Sequence, residues 1–193
     1  MDMGFKPRRS IQIPTPDNLA EAALSYLARY AASEASLRRT LDNRLRRAAM
    51  FNDAFAQDKE AWAHLHTAIE NIIAKHKKSG VLNDAVFAEV KVNSLRRAGK
   101  SAHAIKQKLG LKGVAVAVID KAILRNDDGA DPRDVEIKAA RALAKRKRLG
   151  PFRAGTSSPE QQRKDLAALA RAGFSFVIAK EVLNSDIDAF DEL

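Results

Sequence analysis

The sequence predicts an all-α protein, a tandem array of three three-helix repeats that is elongated and curved. Apolar residues recur at helical spacing along almost all of the 193 residues, and the alternating pattern of a half-buried strand is absent. The same helix-start and helix-end residues also return along the chain. Because one three-helix unit is too small to bury its apolar face well, neighbouring repeats are expected to stack.

The first repeat is predicted over residues 19–80, after a disordered basic arm at 1–18. Its first helix is expected to bury a stripe formed by Leu24, Leu27 and Ala31. Its second helix begins at Ser33, whose hydroxyl can accept hydrogen bonds from the first exposed amides. A less regular stretch around Trp62 predicts an insertion. Gly80 suits the end of the third helix, where a left-handed residue is common.

The second repeat is predicted over residues 81–130. Its first helix begins after the capping residues Asn83 and Asp84, and its apolar face is expected to contain Phe87, Val90 and Leu95. Gly99 ends this helix and Ser101 begins the next one, whose apolar sector is formed by Ala102, Ile105 and Leu109. The third repeat, 131–193, has a joint rich in Gly, Pro and Ser, "LGPFRAGTSSP", which is a candidate hinge, and an acidic C-terminal tail.

Two internal matches support the division into repeats. The spacing of Ser33, Leu37 and Leu41 equals that of Ser101, Ile105 and Leu109. At a second place a constant offset relates two groups of four residues. These are Gly113, Val118, Ala122 and Ile123 in the second repeat and Gly173, Ile178, Val182 and Leu183 in the third. Each match contains residues that begin or end a helix, so the repeated unit is helical.

The composition favours an anionic partner and excludes several chemistries. The net charge is +10 and the pI is about 10.0, a balance that attracts polyanions and releases their counterions on binding. The absence of cysteine excludes disulfides, thiolate metal sites and thiol catalysis. No stretch is long and apolar enough to span a bilayer. We expect a cytoplasmic monomer that makes no contact with a membrane.

No pattern in the sequence predicts catalysis, a cofactor or a metal site. His64 and His66 are two residues apart, so on a helix they point about 200° apart and cannot chelate one ion together. The "GLKG" of Gly110–Gly113 is like the backbone-clamping loop of KH domains, but that module needs strands, and we interpret these glycines as helix ends. We expect a protein that is not an enzyme.

Basic residues form one block in each repeat, whereas acidic residues concentrate in "NDDGADPRDVE" and in the tail. A single block is consistent with a solvated surface, but three blocks in register with a repeat favour binding to an anionic partner. Lys106 and Lys108 flank the apolar stripe on two sides and cannot face one groove together. The predicted contact residues are Arg96, Arg97, Lys100, Lys106, Lys108 and Lys112, then Arg38, Arg39, Arg46 and Arg47, then Lys145, Arg146 and Arg148.

Three segments resemble the repeats of the bacterial regulatory RecX family. The central one is "SGVLNDAVFAEVKVNSLRRAGKSAHAIKQKLGLKGV", with its acidic cap, Phe-Ala pair, Gly-Lys-Ser joint and Lys-Gly ending in order. The segments "YLARYAASEASLRRTL" and "LAALARAGFSFVIAKEVL" are similar to the first and last repeats. The insertion around Trp62 and the presence of Ala172 at a position that is more often basic depart from the family pattern.

The resemblance implies a modulator of the RecA recombinase. Members of the family lodge in the groove of the RecA filament on single-stranded DNA, and they usually inhibit its ATP hydrolysis, strand exchange and coprotease activity. The predicted partners are therefore the RecA filament and single-stranded DNA or another nucleic acid. Two alternatives remain open: an autonomous DNA-binding protein of helix-turn-helix type, and a helical scaffold whose charge is incidental.

Overall fold

A computed structural model describes residues 12–155 and 158–185 of the chain. The helices are α1 (Pro16–Leu27), α2 (Glu34–Ala49), α3 (Asp53–Gln57), α4 (Lys59–Lys78), α5 (Asp84–Arg97), α6 (Ala102–Gly110), α7 (Val116–Asn126), α8 (Pro132–Lys147), α9 (Pro159–Arg171) and α10 (Phe176–Asn184), with a 3-10 turn at Gly150–Phe152. These described ranges contain no strand. The prediction of an all-α fold is confirmed.

The chain divides into two compact units, residues 1–84 and 85–193. In the first unit α1, α2 and α4 surround one apolar cluster, which includes Leu19, Leu37, Leu41, Leu45 and Ile69. The predicted insertion forms α3 and the beginning of α4. The Trp62 Nε1 donates to the Phe55 carbonyl oxygen at 3.0 Å, and the two rings stack with centroids 5.4 Å apart. The inserted residues are thus part of the packed unit.

The first helix begins earlier than the sequence suggested. Thr15 and Asn18 form a capping box, in which each side chain accepts a hydrogen bond from the other residue's backbone amide, and Pro16 occupies the first turn. The predicted disordered arm at 1–18 is therefore too long, because helix α1 already includes residues 16–18. Residues 1–11 of that arm lie outside the described residues.

The second unit contains two buried clusters that share no residue. Helices α5, α6 and α7 surround one cluster, which includes Phe87, Val92, Ile105 and Ile119. Helices α8, α9 and α10 surround the other, which includes Leu143, Leu169, Phe174 and Val182. We propose residues 19–80, 81–130 and 131–193 as the three repeats. Leu82 departs from this division, because it belongs to the second proposed repeat but packs in the cluster of the first unit.

Serines begin the second helix of every repeat. The hydroxyl oxygens of Ser33, Ser101 and Ser158 accept hydrogen bonds from backbone amides three residues further on, as the sequence predicted for Ser33 and Ser101. Ser101 is fully buried, and its hydroxyl donates to the Ala172 carbonyl oxygen at 2.9 Å. This serine therefore both caps α6 and ties the second repeat to the third.

Three of the predicted core positions, Leu24, Ala31 and Val90, are on the surface. Leu24 is 58% exposed and Val90 is 56% exposed, whereas Ala22, Ala23, Ala88 and Val92 are buried. On α1 and α5 alanines are buried beside larger residues such as Leu19 and Phe87, so the apolar face includes small residues that the prediction left out. The periodicity located a helix in both cases, but the choice of the buried stripe gave too much weight to the larger side chains.

The joint between α8 and α9 is anchored by one buried carboxylate, that of Asp165. It accepts hydrogen bonds from the Gly150 amide at 2.8 Å and from the Arg153 Nη2 at 2.7 and 3.0 Å. Burial opposes ionisation, but the bonds from Gly150, Arg153 and Gln161 outweigh it and hold the pKa of Asp165 below its ordinary value. Residues 149–153 of the predicted hinge are thus held in place; residues 156 and 157 lie outside the described part.

Candidate interface for an anionic partner

Four basic residues of the second unit lie close together and form what we call the basic cluster: Lys100, Lys108, Arg146 and Lys147. Lys100 lies in the joint between α5 and α6, Lys108 in the last turn of α6, and the other two in the last turn of α8. Burial and the neighbouring charges of Lys108, Arg146 and Lys147 lower the pKa of Lys100. Positive charges from two predicted repeats therefore meet at one place.

Local helix physics explains part of this arrangement. Cations are favourable in the last turn of a helix, where the carbonyl ends carry partial negative charge, and Lys108, Arg146 and Lys147 occupy such turns. The approach of the two helix ends is a tertiary effect, and it costs electrostatic repulsion. Within residues 12–155 and 158–185 these three side chains form no ion pair. An anion bound beside them would relieve the repulsion.

Arg96 has a different role from the one predicted. Its side chain is only 9% exposed and forms ion pairs with Asp127 at 2.7 Å and with Glu136 at 2.6 Å. Burial by itself would lower the pKa of Arg96. The hydrogen bonds and charges of Asp127 and Glu136 have the larger effect, so the pKa is raised and the guanidinium stays charged. Arg96 is thus neutralised by two carboxylates that lie 31 and 40 residues further along the chain.

Lys106 and Lys108 do point to different surroundings, as their spacing predicted. The Lys106 Nζ lies 2.8 Å from the Asp120 Oδ1 on α7, and both side chains are 47% exposed. Lys108, two residues later, belongs to the basic cluster. One of the two lysines is therefore paired within the protein and the other adds to the concentrated positive charge.

The basic block of the first unit is partly neutralised within the fold. Arg38 pairs with Glu34 at 3.2 Å and also with Glu70. Arg39 lies exposed on the same helix, and Arg46 and Arg47 are exposed in its last turn. The structure thus leaves the C-terminal end of α2 as the exposed positive part of this block.

The remaining predicted residues do not converge on the basic cluster as a group. Arg97 lines a cleft of about 570 Å³ together with Asp127 and Asp134, so carboxylates share its surroundings. Lys112 is exposed in the turn after α6. Lys145 and Arg148 are exposed around the end of α8, where Arg148 adopts the left-handed conformation with φ of 53° and caps the helix.

Sequence reasoning missed several residues that determine this site. Lys147 belongs to the third basic block of the sequence but was not among the predicted contact residues, although its place in the last turn of a helix was an available indication. Asp127 and Glu136 carry no local sign of their role, because they lie 31 and 40 residues from Arg96. Only the packed structure identifies them.

Other kinds of site find no support in the described ranges. No group of three or more His, Asp or Glu residues is placed to hold a metal ion there. No helix within residues 12–155 and 158–185 combines the length and the apolar character that crossing a bilayer requires. Gly110 lies in the last turn of α6, and Gly113, with φ of 77°, ends the turn that follows.

Fold and site together define a class: a protein of helical repeats that gathers positive charge where two repeats meet. The family model described as "RecX, second three-helix domain" matches residues 83–123, which include α5, α6 and most of α7. A protein from Myxococcus xanthus named "Regulatory protein RecX" is 42% identical over 181 residues, 93% of this chain and 91% of the relative. The chain therefore belongs to the RecX family, as the resemblance indicated.

More distant comparisons agree. A protein of the same name from Agrobacterium fabrum is 34% identical over 102 residues, which cover 53% of this chain and 51% of the relative. A solved structure described as "Crystal structure of regulatory protein RecX" superposes with a TM-score of 0.61 at 18% identity, over 88% of this chain and 72% of the solved chain. The latter likeness shows that the two proteins share a fold.

Proposed function

We propose that this protein binds RecA filaments assembled on single-stranded DNA and inhibits RecA. The inhibited activities are ATP hydrolysis, recombination and coprotease function, so the protein would act in DNA repair and in the SOS response, without catalysis of its own. Membership of a family of regulatory proteins supports the regulatory role. The observation that carries the proposal for this chain is the basic cluster, because the positive charges near Lys100 repel one another and a bound anion would reduce that repulsion.

The first experiment measures ATP turnover by RecA on single-stranded DNA as the protein is added. The double variant K100Q/K108Q should inhibit less than the wild type at every concentration, because two of the four cluster charges are gone. The matched control is K59Q/K121Q, which also removes two exposed positive charges but changes no cluster residue. Absence of inhibition by an excess of wild-type protein would overturn the inhibitory role.

The second experiment is co-sedimentation with RecA filaments, with bare single-stranded DNA and with RecA alone. We expect retention on the filament to exceed retention on either component. Equal binding to bare DNA, or selective binding to duplex DNA without RecA, would favour an autonomous DNA-binding protein. Binding that does not respond to salt would favour a scaffold, since each phosphate contact contributes about 0.7 to 0.9 to the log–log salt slope.

A further inference from the structure

We propose that Arg96 is a positioning residue of the basic cluster: it holds the joint that carries Lys100 against α8 and does not itself contact the anionic partner. The proposal rests on the proposed function for the identity of the partner. Its structural part concerns only Arg96, Asp127, Glu136 and the joint, and it can be tested with the protein alone.

Arg96 has few donors left for a partner. Its Nε and Nη2 donate to the two carboxylate oxygens of Asp127 at 3.2 and 2.7 Å. Its Nη1 donates to the Glu136 Oε1 at 2.6 Å and to the Lys100 carbonyl oxygen at 3.2 Å. These bonds use four of the five N–H groups of a guanidinium, and the side chain is almost completely covered. A phosphate that used more than the one remaining N–H would have to displace a carboxylate or the Lys100 carbonyl oxygen.

The same network holds the joint on the C-terminal side of Lys100. Arg96 binds the Lys100 carbonyl oxygen, and Glu136 accepts a hydrogen bond of 2.7 Å from the amide of Ala102. On the other side of Lys100, Gly99 rests on α8 so closely that an added Cβ would lie 2.9 Å from the Ala139 carbonyl oxygen. The backbone on both sides of Lys100 is therefore fixed relative to α8.

Helix α8 also supplies the other half of the cluster. Glu136 lies near its beginning, and Arg146 and Lys147 lie in its last turn. Fixing the joint on α8 thus sets the distance between the lysines of the second repeat and the basic residues of the third. Without the hydrogen bonds of the Arg96 guanidinium to Asp127, Glu136 and the Lys100 carbonyl oxygen, repulsion among the four basic residues of the cluster would move the joint away from α8.

The structural test compares R96Q with the matched control R133Q. Arg133 lies on α8 and pairs with Glu181 in an exposed bridge of 2.7 Å. Each variant therefore removes one positive charge, but R96Q removes two ion pairs and R133Q removes one. The readout is the pKa of the Lys100 ammonium, followed by NMR of its side-chain resonances, which are assigned by comparison with K100Q. We expect the lowered pKa to rise toward its ordinary value in R96Q and to stay unchanged in R133Q. An unchanged value in R96Q overturns the proposal.

A double-mutant cycle separates positioning from direct contact. Binding to RecA filaments on single-stranded DNA is measured for R96Q in the wild type and in K100Q/K108Q. We expect R96Q to weaken binding about threefold or more in the wild type and by less than about twofold in K100Q/K108Q. An equal loss in both backgrounds, together with a salt slope that falls by about 0.7, would show that Arg96 contacts phosphate and would overturn the proposal.

Two further controls keep the test decisive. If R96Q does not fold, R96K replaces it, because lysine retains the charge but lacks the fork that joins Asp127, Glu136 and the Lys100 carbonyl oxygen. We expect the same upward change of the Lys100 pKa, and no change would again overturn the proposal. If the wild type binds neither filament nor DNA, the proposed function fails, while the NMR measurement still decides the role of Arg96.

Discussion

The carboxylate of Glu136 accepts a hydrogen bond of 2.7 Å from the backbone amide of Ala102, the first residue of α6. Asp84, the first residue of α5, makes the equivalent bond of 2.8 Å to the amide of Glu34, the first residue of α2. The first amides of a helix lack partners within it, so both bonds satisfy exposed donors. In the third repeat the corresponding residue is Pro159, which has no N–H to satisfy. The beginning of α9 therefore has no amide at this position for a carboxylate to satisfy.

Removing the carboxylate of Glu136 should destabilise the second unit strongly. E136A leaves the Ala102 amide without its partner and removes one of the two carboxylates that balance buried Arg96. We expect a loss of about 2–4 kcal/mol in the free energy of unfolding, measured by urea titration with circular dichroism. The control E89A breaks the exposed pair of Glu89 with Arg125 and should cost less than about 1 kcal/mol. Equal losses would contradict this role of Glu136.

Gly99 is expected to tolerate no side chain. Its φ is 65°, and a Cβ would lie 2.9 Å from both the Ala139 carbonyl oxygen and the Leu143 amide nitrogen. Gly129 has a similar φ of 72° but no atom within 4 Å of a built Cβ. G129A should cost about 1–2 kcal/mol for the left-handed backbone alone, and G99A should cost about 1–3 kcal/mol more because α8 must shift. The same urea titration compares G99A with G129A. Similar losses of unfolding free energy would mean that the joint does not pack closely against α8.

The stability of the third repeat should depend on pH through Asp165. Its folded pKa lies below the ordinary value of 3.8, so its contribution is complete above that pH and is lost as the pH falls through the folded value. D165N should flatten the pH dependence of the unfolding free energy between about pH 4 and pH 2, because asparagine has no proton to take up. D134N, at an exposed position of α8, is the control. If the unfolding free energy of D165N falls with decreasing pH as much as that of the wild type does, Asp165 does not anchor the joint.

Lys106 and Lys108 should differ in their effect on binding although they lie on one helix. K106Q removes a charge already paired with Asp120, whereas K108Q removes a charge of the basic cluster. We expect K108Q to lower the salt slope for binding to RecA filaments on single-stranded DNA by about 0.7 and K106Q to change it by less than half of that. Each variant serves as the control of the other, and a larger effect of K106Q would place the interface on the α7 side of the helix.

The helices and their ends could be predicted because their causes are local. Ser33 and Ser101 cap their helices through amides three residues away, and the spacing of the leucines in α2 reports directly on its buried face. The beginning of α1 was missed although it is also local, since Thr15 and Asn18 form a capping box. The exposed Leu24 and Val90 show that size alone does not select the buried stripe.

The candidate site could be predicted only in part. The sequence identified three basic blocks, and members of the second and third blocks do lie together at Lys100, Lys108 and Arg146. It also placed Arg96 among the contact residues, whereas the structure buries this side chain in an internal ion-pair network. Arg96 lies four residues after buried Val92, on the same face of α5, whereas Arg97 is exposed.

The sequence by itself determined the helical class, the repeated pattern, the capping serines and the likeness to the RecX family, because these depend on residues close together in the chain. Only the tertiary structure decided which positive charges are neutralised and which are concentrated. Asp127 and Glu136 reach Arg96 across 31 and 40 residues of sequence, and the ends of α6 and α8 meet in the same way. Electrostatic interaction depends on distance in space, and packed helices create distances that local sequence does not encode.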